Sequence, residues 1–498
     1  MVFPRFPPLR RAVGRAALFA VTATLSACAV GPDYRPPALP AIDEWHSLAP
    51  GTRAAAVDDA TLAAWWTVLN DETLNHLMTK AVNENKTVAQ AIARVRESRA
   101  RRNISTAGLF PSLDASGSGR NSETDRGRSS SSEEVLDGFG MTVGRDSYSA
   151  GLDSRWELDI FGGQRRSIEA AKANLGASEA DLRDALVTLL GDVAVSYVNV
   201  RTAQSRLTFA ERNLESQREV VDITGWRAQA GLATVLDVEQ ARTSYSQTRA
   251  QIPQLQSNLE AAMNRLAVLT GQPPGALHET LAERRAIPVA PREAVTSVPA
   301  EVLRRRPDIR SAEQRLAAQT AQVGVATAAL YPSLSLTGAF GLSATSASNV
   351  FSGGVETTNY GFSLSVPIFR AGALRQQIVV QNALVDQALA SYEETVFAAL
   401  EEIENALTQW ANEQVRHEAL QQAAGSARVA SELALVQYNS GLVDFETVLT
   451  ADRQLISTED ALAVSDGELT SNLIRLYKAF GGGWSVFPAS STAAAGTP

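Results

Sequence analysis

One phrase of this chain occurs twice, and the distance between its occurrences constrains the fold more than any single motif. Leu109-Phe110-Pro111-Ser112-Leu113 returns as Leu330-Tyr331-Pro332-Ser333-Leu334, 221 residues later. Gly231-Leu232, followed by Val238 and Ala241, returns as Gly441-Leu442, followed by Val448 and Ala451, with a shift of 210. The phenylalanine closing Leu158-Asp159-Ile160-Phe161 reappears at the end of Val366-Pro367-Ile368-Phe369, with a shift of 208. Shifts that stay near 210 and differ only where loops would lie describe one long unit used twice. The expected organisation is repeat 1 over 71–270, with a β-hairpin at about 111–161, then a linker over 271–300. Repeat 2 covers 301–480, with a hairpin at about 332–369, and a disordered tail occupies 481–498.

The segment before the first repeat reads as an export sequence. Arg5, Arg10, Arg11 and Arg15 form a basic flank, Ala16 to Leu25 a short apolar run, and Leu25-Ser26-Ala27 lead directly into Cys28. That run is too short to span a bilayer and fits a signal peptide over 1–27. Small residues before a cysteine resemble the bacterial lipobox, which makes Cys28 the candidate for lipid attachment (palmitate). The resemblance also implies that Ala29, not being aspartate, permits transport to the outer membrane. Cys28 is the only cysteine, so no disulfide framework exists. Without residues 1–27 the chain carries 41 basic against 54 acidic residues, a net charge near −13, which disfavours nucleic acid as a partner. Residues 28–70 begin with prolines and are expected to form an extended arm, docked on the body by Trp65, Trp66 and Leu69.

After each Pro-Ser-Leu the hydrophobic period changes from helix to strand. A helix is expected from about Glu72 to Ala107, and its counterpart begins after Arg306-Pro307-Asp308. Leu334, Leu336, Phe340 and Leu342 then alternate with Ser333, Ser335, Thr337 and Gly341, and Tyr360, Phe362, Leu364 and Val366 with Gly361, Ser363 and Ser365. Leu152, Trp156 and Leu158 alternate with Asp153, Arg155 and Glu157 in the first copy, where Leu113 to Gly119 is the least apolar of four strands. Strands of about ten residues with one apolar and one polar face suit a membrane β-barrel wall, though a half-buried soluble sheet alternates identically.

The remainder of each repeat is helical. Leu186, Val193, Val200, Leu207, Leu214 and Val221 fall seven apart. So do Val238, Tyr245, Ile252, Leu259 and Leu266, and their counterparts Val448, Leu455, Leu462, Leu469 and Leu476. Sustained heptads describe long helices packed in a coiled-coil manner. The Gly-Leu pairs mark the turns between them, and Pro253 is expected to kink or loosen its helix.

Four membrane strands cannot close a barrel, for which about eight is the minimum, so the wall must be shared between chains. Spacing alone leaves dimer and trimer open. The chain resembles the TolC-like outer-membrane efflux proteins, and among them the NodT-type outer-membrane factor lipoproteins. The residues that carry the resemblance are Cys28-Ala-Val-Gly-Pro-Asp-Tyr-Arg-Pro-Pro37, Leu303-Arg-Arg-Arg-Pro-Asp-Ile-Arg310, both Pro-Ser-Leu sequences and both Gly-Leu turns. The resemblance implies a mainly α fold with membrane β structure: a homotrimer with a 12-stranded β-barrel continued by a 12-helix periplasmic α-barrel. It implies a channel of a tripartite efflux pump, working with a periplasmic adaptor and an inner-membrane transporter of the RND type, and exporting drugs or other toxic small molecules. Adaptor contact would map to Gly231, Leu232, Gly441 and Leu442.

The family also narrows its channel tip with acidic side chains near the second turn. The two positions that carry aspartate in the best-known member hold Thr447 and Thr450 here. Asp444, Glu446 and Asp237 are the nearest acids and Arg453 a counter-charge, so these four are the gate candidates; solvated acids on a helix face are the alternative. His46, His76, His278 and His417 are scattered without metal-ligand spacing, and no phosphate loop is present, so neither an enzyme nor a cofactor other than the lipid is expected. Two further readings stay open: an exit duct for type I protein secretion, and a structural coiled-coil lipoprotein of the envelope.

Overall fold

The structure is a computed structural model, and it describes residues 29–38, 45, 59–121, 146–289 and 300–486. The expected signal peptide, Cys28, residues 39–44 and 46–58 of the expected arm, most of the first hairpin loop, the end of the linker and residues 487–498 lie outside the described residues. The helices are α1 (Asp59–Ala63), α2 (Glu72–Glu84), α3 (Lys86–Ala107), α4 (Gly163–Gln229), α5 (Val235–Leu269), α6 (His278–Leu281), α7 (Pro307–Ala328), α8 (Ala373–Asn439) and α9 (Phe445–Ala479). The strands are β1 (Ser112–Arg120), β2 (Ser147–Leu158), β3 (Ser333–Ala344) and β4 (Val355–Ser365). The duplication is visible in element lengths: α4 and α8 both have 67 residues, α5 and α9 both 35, α3 and α7 both 22. At 1.5 Å per residue, α4 and α8 are each about 100 Å long.

The chain divides into two units. The first comprises Met1–Pro36, Glu97–Gly176 and Gln314–Ala390 and holds the sheet. Its strands are antiparallel in the order β1-β2-β3-β4, so β1 and β4 each have one free edge. Residues opposite one another project to the same face. Leu152 pairs with Ala115 and Phe340, Trp156 with Leu336, Leu158 with Leu334, and Leu334 and Leu336 in turn with Leu364 and Phe362. The other face carries Ser112, Asp114, Asp153, Arg155, Glu157, Thr337 and Asn359. The apolar face is interrupted by Ser154 in mid-strand and loses its character beside the 345–354 connection, at Glu356 and Thr358. It is open: Tyr360 is 90% and Phe362 76% exposed.

The second unit comprises Pro37–Arg96, Ala177–Glu313 and Ser391–Pro498. Trp65 and Trp66 are buried, Trp65 stacked on Tyr477 with centroids 5.8 Å apart, so they dock the arm as expected. The arm's end is folded rather than extended, as α1 and a 3-10 turn at Trp65–Leu69. The helix expected over 72–107 is two helices. Asn85 is extended, donates to Leu269 O at 2.8 Å and accepts from Thr87 and Val88 N–H, so it caps α3 while tying it to the end of α5. Helix α5 runs through Pro253, which removes one backbone donor from a 35-residue ladder. Gly481–Gly483, the start of the expected tail, are buried, with Gly483 N donating to Leu62 O at 3.1 Å.

The heptad rows locate deep positions at Val193, Val200, Leu266 and Leu476, all fully buried, but not in the middle of α9. In α9 Leu455, Leu462 and Leu469 are half-buried, whereas Ala463, Ser465, Gly467 and Thr470 are buried. A Cβ on Gly467 would come within 2.2 Å of Thr202 Oγ1 on α4, so backbones approach closest where side chains are smallest. Two buried arginines hold irregular segments. Arg201 donates to Gln204 Oε1 and to Glu283 O, each at 2.8 Å, and Gln204 donates to Leu281 O at 2.7 Å, fastening the linker to α4. Arg306, from the Arg-Pro-Asp motif, meets Asp308 at 2.8 Å, Glu402 at 2.6 Å and the Ala479 carbonyl.

Two outcomes are expected. Arg201→Met leaves Glu283 O and Gln204 without their partner, at about 1–3 kcal/mol for each stranded group. It should lower the unfolding temperature and speed tryptic cutting after Arg284 or Arg285 relative to the unsubstituted protein. Asp184 is pushed up to about 6 by burial first and by nearby Asp308 and Asp181, against Arg306 and Lys478. A raised carboxyl makes the fold the better proton binder. Its stabilisation is full below the ordinary carboxylate range and is lost as pH rises through about 6. Asp184→Asn should remove that loss, on the order of 2 kcal/mol after solvent screening, in denaturant unfolding followed across the interval from the ordinary 3.8 to the raised value of about 6.

Candidate functional site

The two Gly-Leu turns are built alike. Gly231 ends α4 at φ 75° and Gly441 ends α8 at φ 74°. Leu232 N donates to Arg227 O at 2.8 Å and Leu442 N to Gln437 O at 2.9 Å, while Gly231 N reaches Ala228 O at 3.0 Å and Gly441 N reaches Tyr438 O at 2.9 Å. This pair of bonds is the left-handed helix stop that favours a residue without Cβ. A Cβ on either glycine would meet nothing within 4 Å, so the backbone angle alone selects glycine. Leu232 and Leu442 are 69% and 75% exposed. The first turn adds Trp226, Val235 and Leu236, all exposed, whereas Phe445 after the second turn is buried. The two turns therefore share a backbone and differ in surface, the first being the more apolar.

The following helices start with the same two residue types in exchanged places. Thr234 caps α5: its hydroxyl accepts from Asp237 N at 3.2 Å, and Asp237 accepts from Thr234 N at 2.8 Å. In the second copy Asp444 is the cap, accepting from Thr447 N at 3.0 Å and from the Thr447 hydroxyl at 2.7 Å. Those bonds, the hydroxyl's first, hold the Asp444 carboxyl below the usual carboxylate range. Asp237 and Asp444 thus each engage a threonine of their own turn. Glu446 is exposed in the first turn of α9, and Arg453 is exposed further along it; Asp444 is held by Thr447 rather than by Arg453.

Below the turns the helices of the two copies meet. Tyr438, Phe445, Val448 and Leu449 cluster with Ala241 and Ala434, and the Arg227 guanidinium lies 4.5 Å over the Tyr438 ring. Gln217 on α4 donates both to Ser244 on α5, at 3.0 Å, and to Asp452 on α9, at 2.9 Å. Burial pushes the Asp452 carboxyl up, with Glu459 adding to it and Gln217 and Arg453 opposing. A cavity of about 30 Å³ lies between Gln217, Ser244, Leu435, Phe445, Val448 and Asp452. It can hold one water, and Gln217 Oε1 has no protein partner. Further along, Arg206 meets Asp460 at 2.7 and 3.0 Å and Arg428 meets Glu459 at 2.7 Å.

Sequence reasoning singled out Asp444 and Glu446 but missed Gln217, Ser244 and Asp452, which join three helices. The only signal available was position: Asp452 lies on the helix turn after Val448, a heptad residue, where an acid is out of place unless partnered. Among the described residues, no group of three or more His, Cys, Asp or Glu could hold a metal, and no helix is long and apolar enough to cross a membrane.

The family described as "Outer membrane efflux protein" matches residues 77–272 and 298–482, which are the two repeats. Nodulation protein T of Rhizobium leguminosarum bv. viciae is 32% identical over 473 residues, covering 95% of this chain and 94% of the relative. The cation efflux system protein CusC of Escherichia coli O6:H1 is 30% identical, covering 94% and 98%. The solved structure of the outer-membrane channel OprN superposes with a TM-score of 0.79 at 37% identity, covering 92% of this chain and all of that one. Two repeats of strand pair and long helix pair, matched end to end by these channels, leave one assignment: the chain belongs to the outer membrane efflux protein family and is a TolC-like outer-membrane efflux channel protein.

Proposed function

We propose that three copies of the chain close a twelve-stranded barrel and conduct small molecules outward as the final stage of a tripartite pump. The observation that carries this is the four-stranded sheet whose apolar face is exposed and whose β1 and β4 edges are unpaired. In lipid each unpaired N–H or C=O costs several kcal/mol, which favours edge-to-edge closure between copies. Asp114, Asp153, Arg155 and Glu157 then line a wet interior. The exposed Leu232 and Leu442 turns are the surface offered to a periplasmic adaptor, with an inner-membrane transporter of the RND type behind it. A lipid on Cys28 anchors the chain to the outer membrane. Its work is conduction, with no catalysed reaction and no cofactor apart from that lipid. The polar and acidic interior suits small polar or cationic cargo, drugs and dyes included; cation export by CusC is a precedent for the cation class. Asp444 is the charge closest to the second turn and on this reading the gate's acid, with Glu446 in the same helix turn, Asp237 at the first turn and Arg453 as counter-charge.

Purified protein should run as an oligomer that resists SDS until heated and should give steady conductance in planar bilayers. A monomer without conductance would remove the channel reading. Deleting the gene should sensitise cells to several dyes and antibiotics at once. For the gate, Asp444→Ser keeps a hydroxyl cap and removes the charge, whereas Asp444→Ala removes both. Both variants should raise conductance at rest or relieve block by divalent cations. If only the alanine variant does so, the cap and not the charge governs the tip.

A further inference from the structure

Residues 29–36 lie against the corner where β2 gives way to α4, and α4 carries a seat for them. Val30 N–H donates to Phe161 O at 3.1 Å. Arg166, in the first turn of α4, reaches back over the segment: Nε donates to Val30 O at 3.2 Å, Nη2 to Gly31 O at 3.3 Å and to Asp33 Oδ1 at 2.7 Å, and Nη1 to Glu169 Oε2 at 2.8 Å. Its side chain is only 6% exposed, so the guanidinium has replaced water with these four acceptors. Three glycines make the room. A Cβ on Gly31, at φ +97°, would come within 2.5 Å of Gly324 Cα, and one on Gly162, at φ +81°, within 2.6 Å of Ala29 Cα. A Cβ on Gly324 would come within 2.7 Å of Arg166 Cγ.

The seat is not repeated at the start of α8. Arg166 is the fourth residue of α4, and the fourth residue of α8 is Gln376, which cannot supply a forked cation; Arg375 before it corresponds to Arg165. The duplication reproduced helix, turn and strand in both copies but not this arrangement, and the chain has a single N-terminal segment to receive.

We propose that Arg166, with Gly162 and Gly324, is a receptor for the chain's own processed N-terminal segment, and that its task is to fix the point from which the membrane-anchoring lipid springs. This rests on the lipid-anchored channel reading above. Ala29 is bonded to Cys28, so a lipid there is tethered by one peptide link to a residue packed on Gly162. Gly162 closely follows Leu158, a member of the apolar sheet face. An arm free from Cys28 to α1, at Asp59, would let the lipid roam on the order of 30 Å, whereas the seated segment ties lipid and sheet to one place. Insertion of one then raises the effective concentration of the other at the membrane.

The test uses the full-length lipoprotein with Arg35→Cys, a free thiol once Cys28 is acylated, carrying a nitroxide label. The label should be immobilised with Arg166 present and lose that immobilised component in Arg166→Met, with palmitate incorporation unchanged. Asp33→Asn, which alters only the exposed end of the contact, should give part of the same loss and covers the case in which Arg166→Met does not fold. In vesicle insertion, Cys28→Ala and Arg166→Met should each slow the rate, and the double variant should be no slower than the worse single one. An immobile label in the folded Arg166→Met protein, or fully additive slowing, overturns the receptor. Absence of palmitate from the wild-type chain overturns the anchor reading, and with it the purpose assigned to the seat, but not the label result.

Discussion

Backbone hydrogen bonding at the sheet edges is the constraint from which the rest follows. Strand β2 and strand β3 satisfy their main-chain groups on both sides, whereas β1 and β4 do so on one. In water an open edge is tolerable and often guarded by charge. Here β4 carries Tyr360, Phe362 and Leu364, a face that water does not favour, so the edge has no charged guard along its apolar length. Lipid would accept the face and penalise the edge. On the proposed reading, such a sheet is completed by further copies of the chain.

The helical part solves a different problem: keeping very long helices in register without a thick core. Small residues at the α4–α9 contact, with Gly467 against Thr202, draw backbones together. Occasional polar crossings then fix the alignment, because Gln217, Asp452, Arg206 and Asp460 can meet only at one relative position. Apolar heptads tolerate sliding by a whole repeat, and a charge pair does not. Arg201 and Arg306 do the same where the chain is irregular, gripping carbonyls that no helix or strand would satisfy.

The plan of this fold was legible because a duplication writes every feature twice. The Pro-Ser-Leu and Gly-Leu phrases located the strand starts and helix turns, and period two against period seven separated sheet from helix. What stayed hidden depends on contacts distant in sequence. Asn85 breaks a helix because its amide finds Leu269, 184 residues away, and neither residue announces the other. Gly481 to Gly483 look like a loose tail until Trp65 and Leu62 are beside them. At the candidate site the glycines were readable, since a left-handed stop has a local signature. The tie from Gln217 to Asp452 was not, since its two ends lie in different copies. The role of Asp444 was half readable: its place near the turn was evident, its engagement with Thr447 was not.

The exchanged caps carry a consequence for how such a chain diversifies. Thr234 and Asp237 in one copy, Asp444 and Thr447 in the other, start equivalent helices while setting the negative charge three residues apart, about 4.5 Å along an ideal axis. A protein assembled from single repeats would have to present one chemistry at all its turns. Fusing two repeats frees each to drift, so alternate positions around an assembly can bear unlike charges at unlike heights while the backbone stays the same.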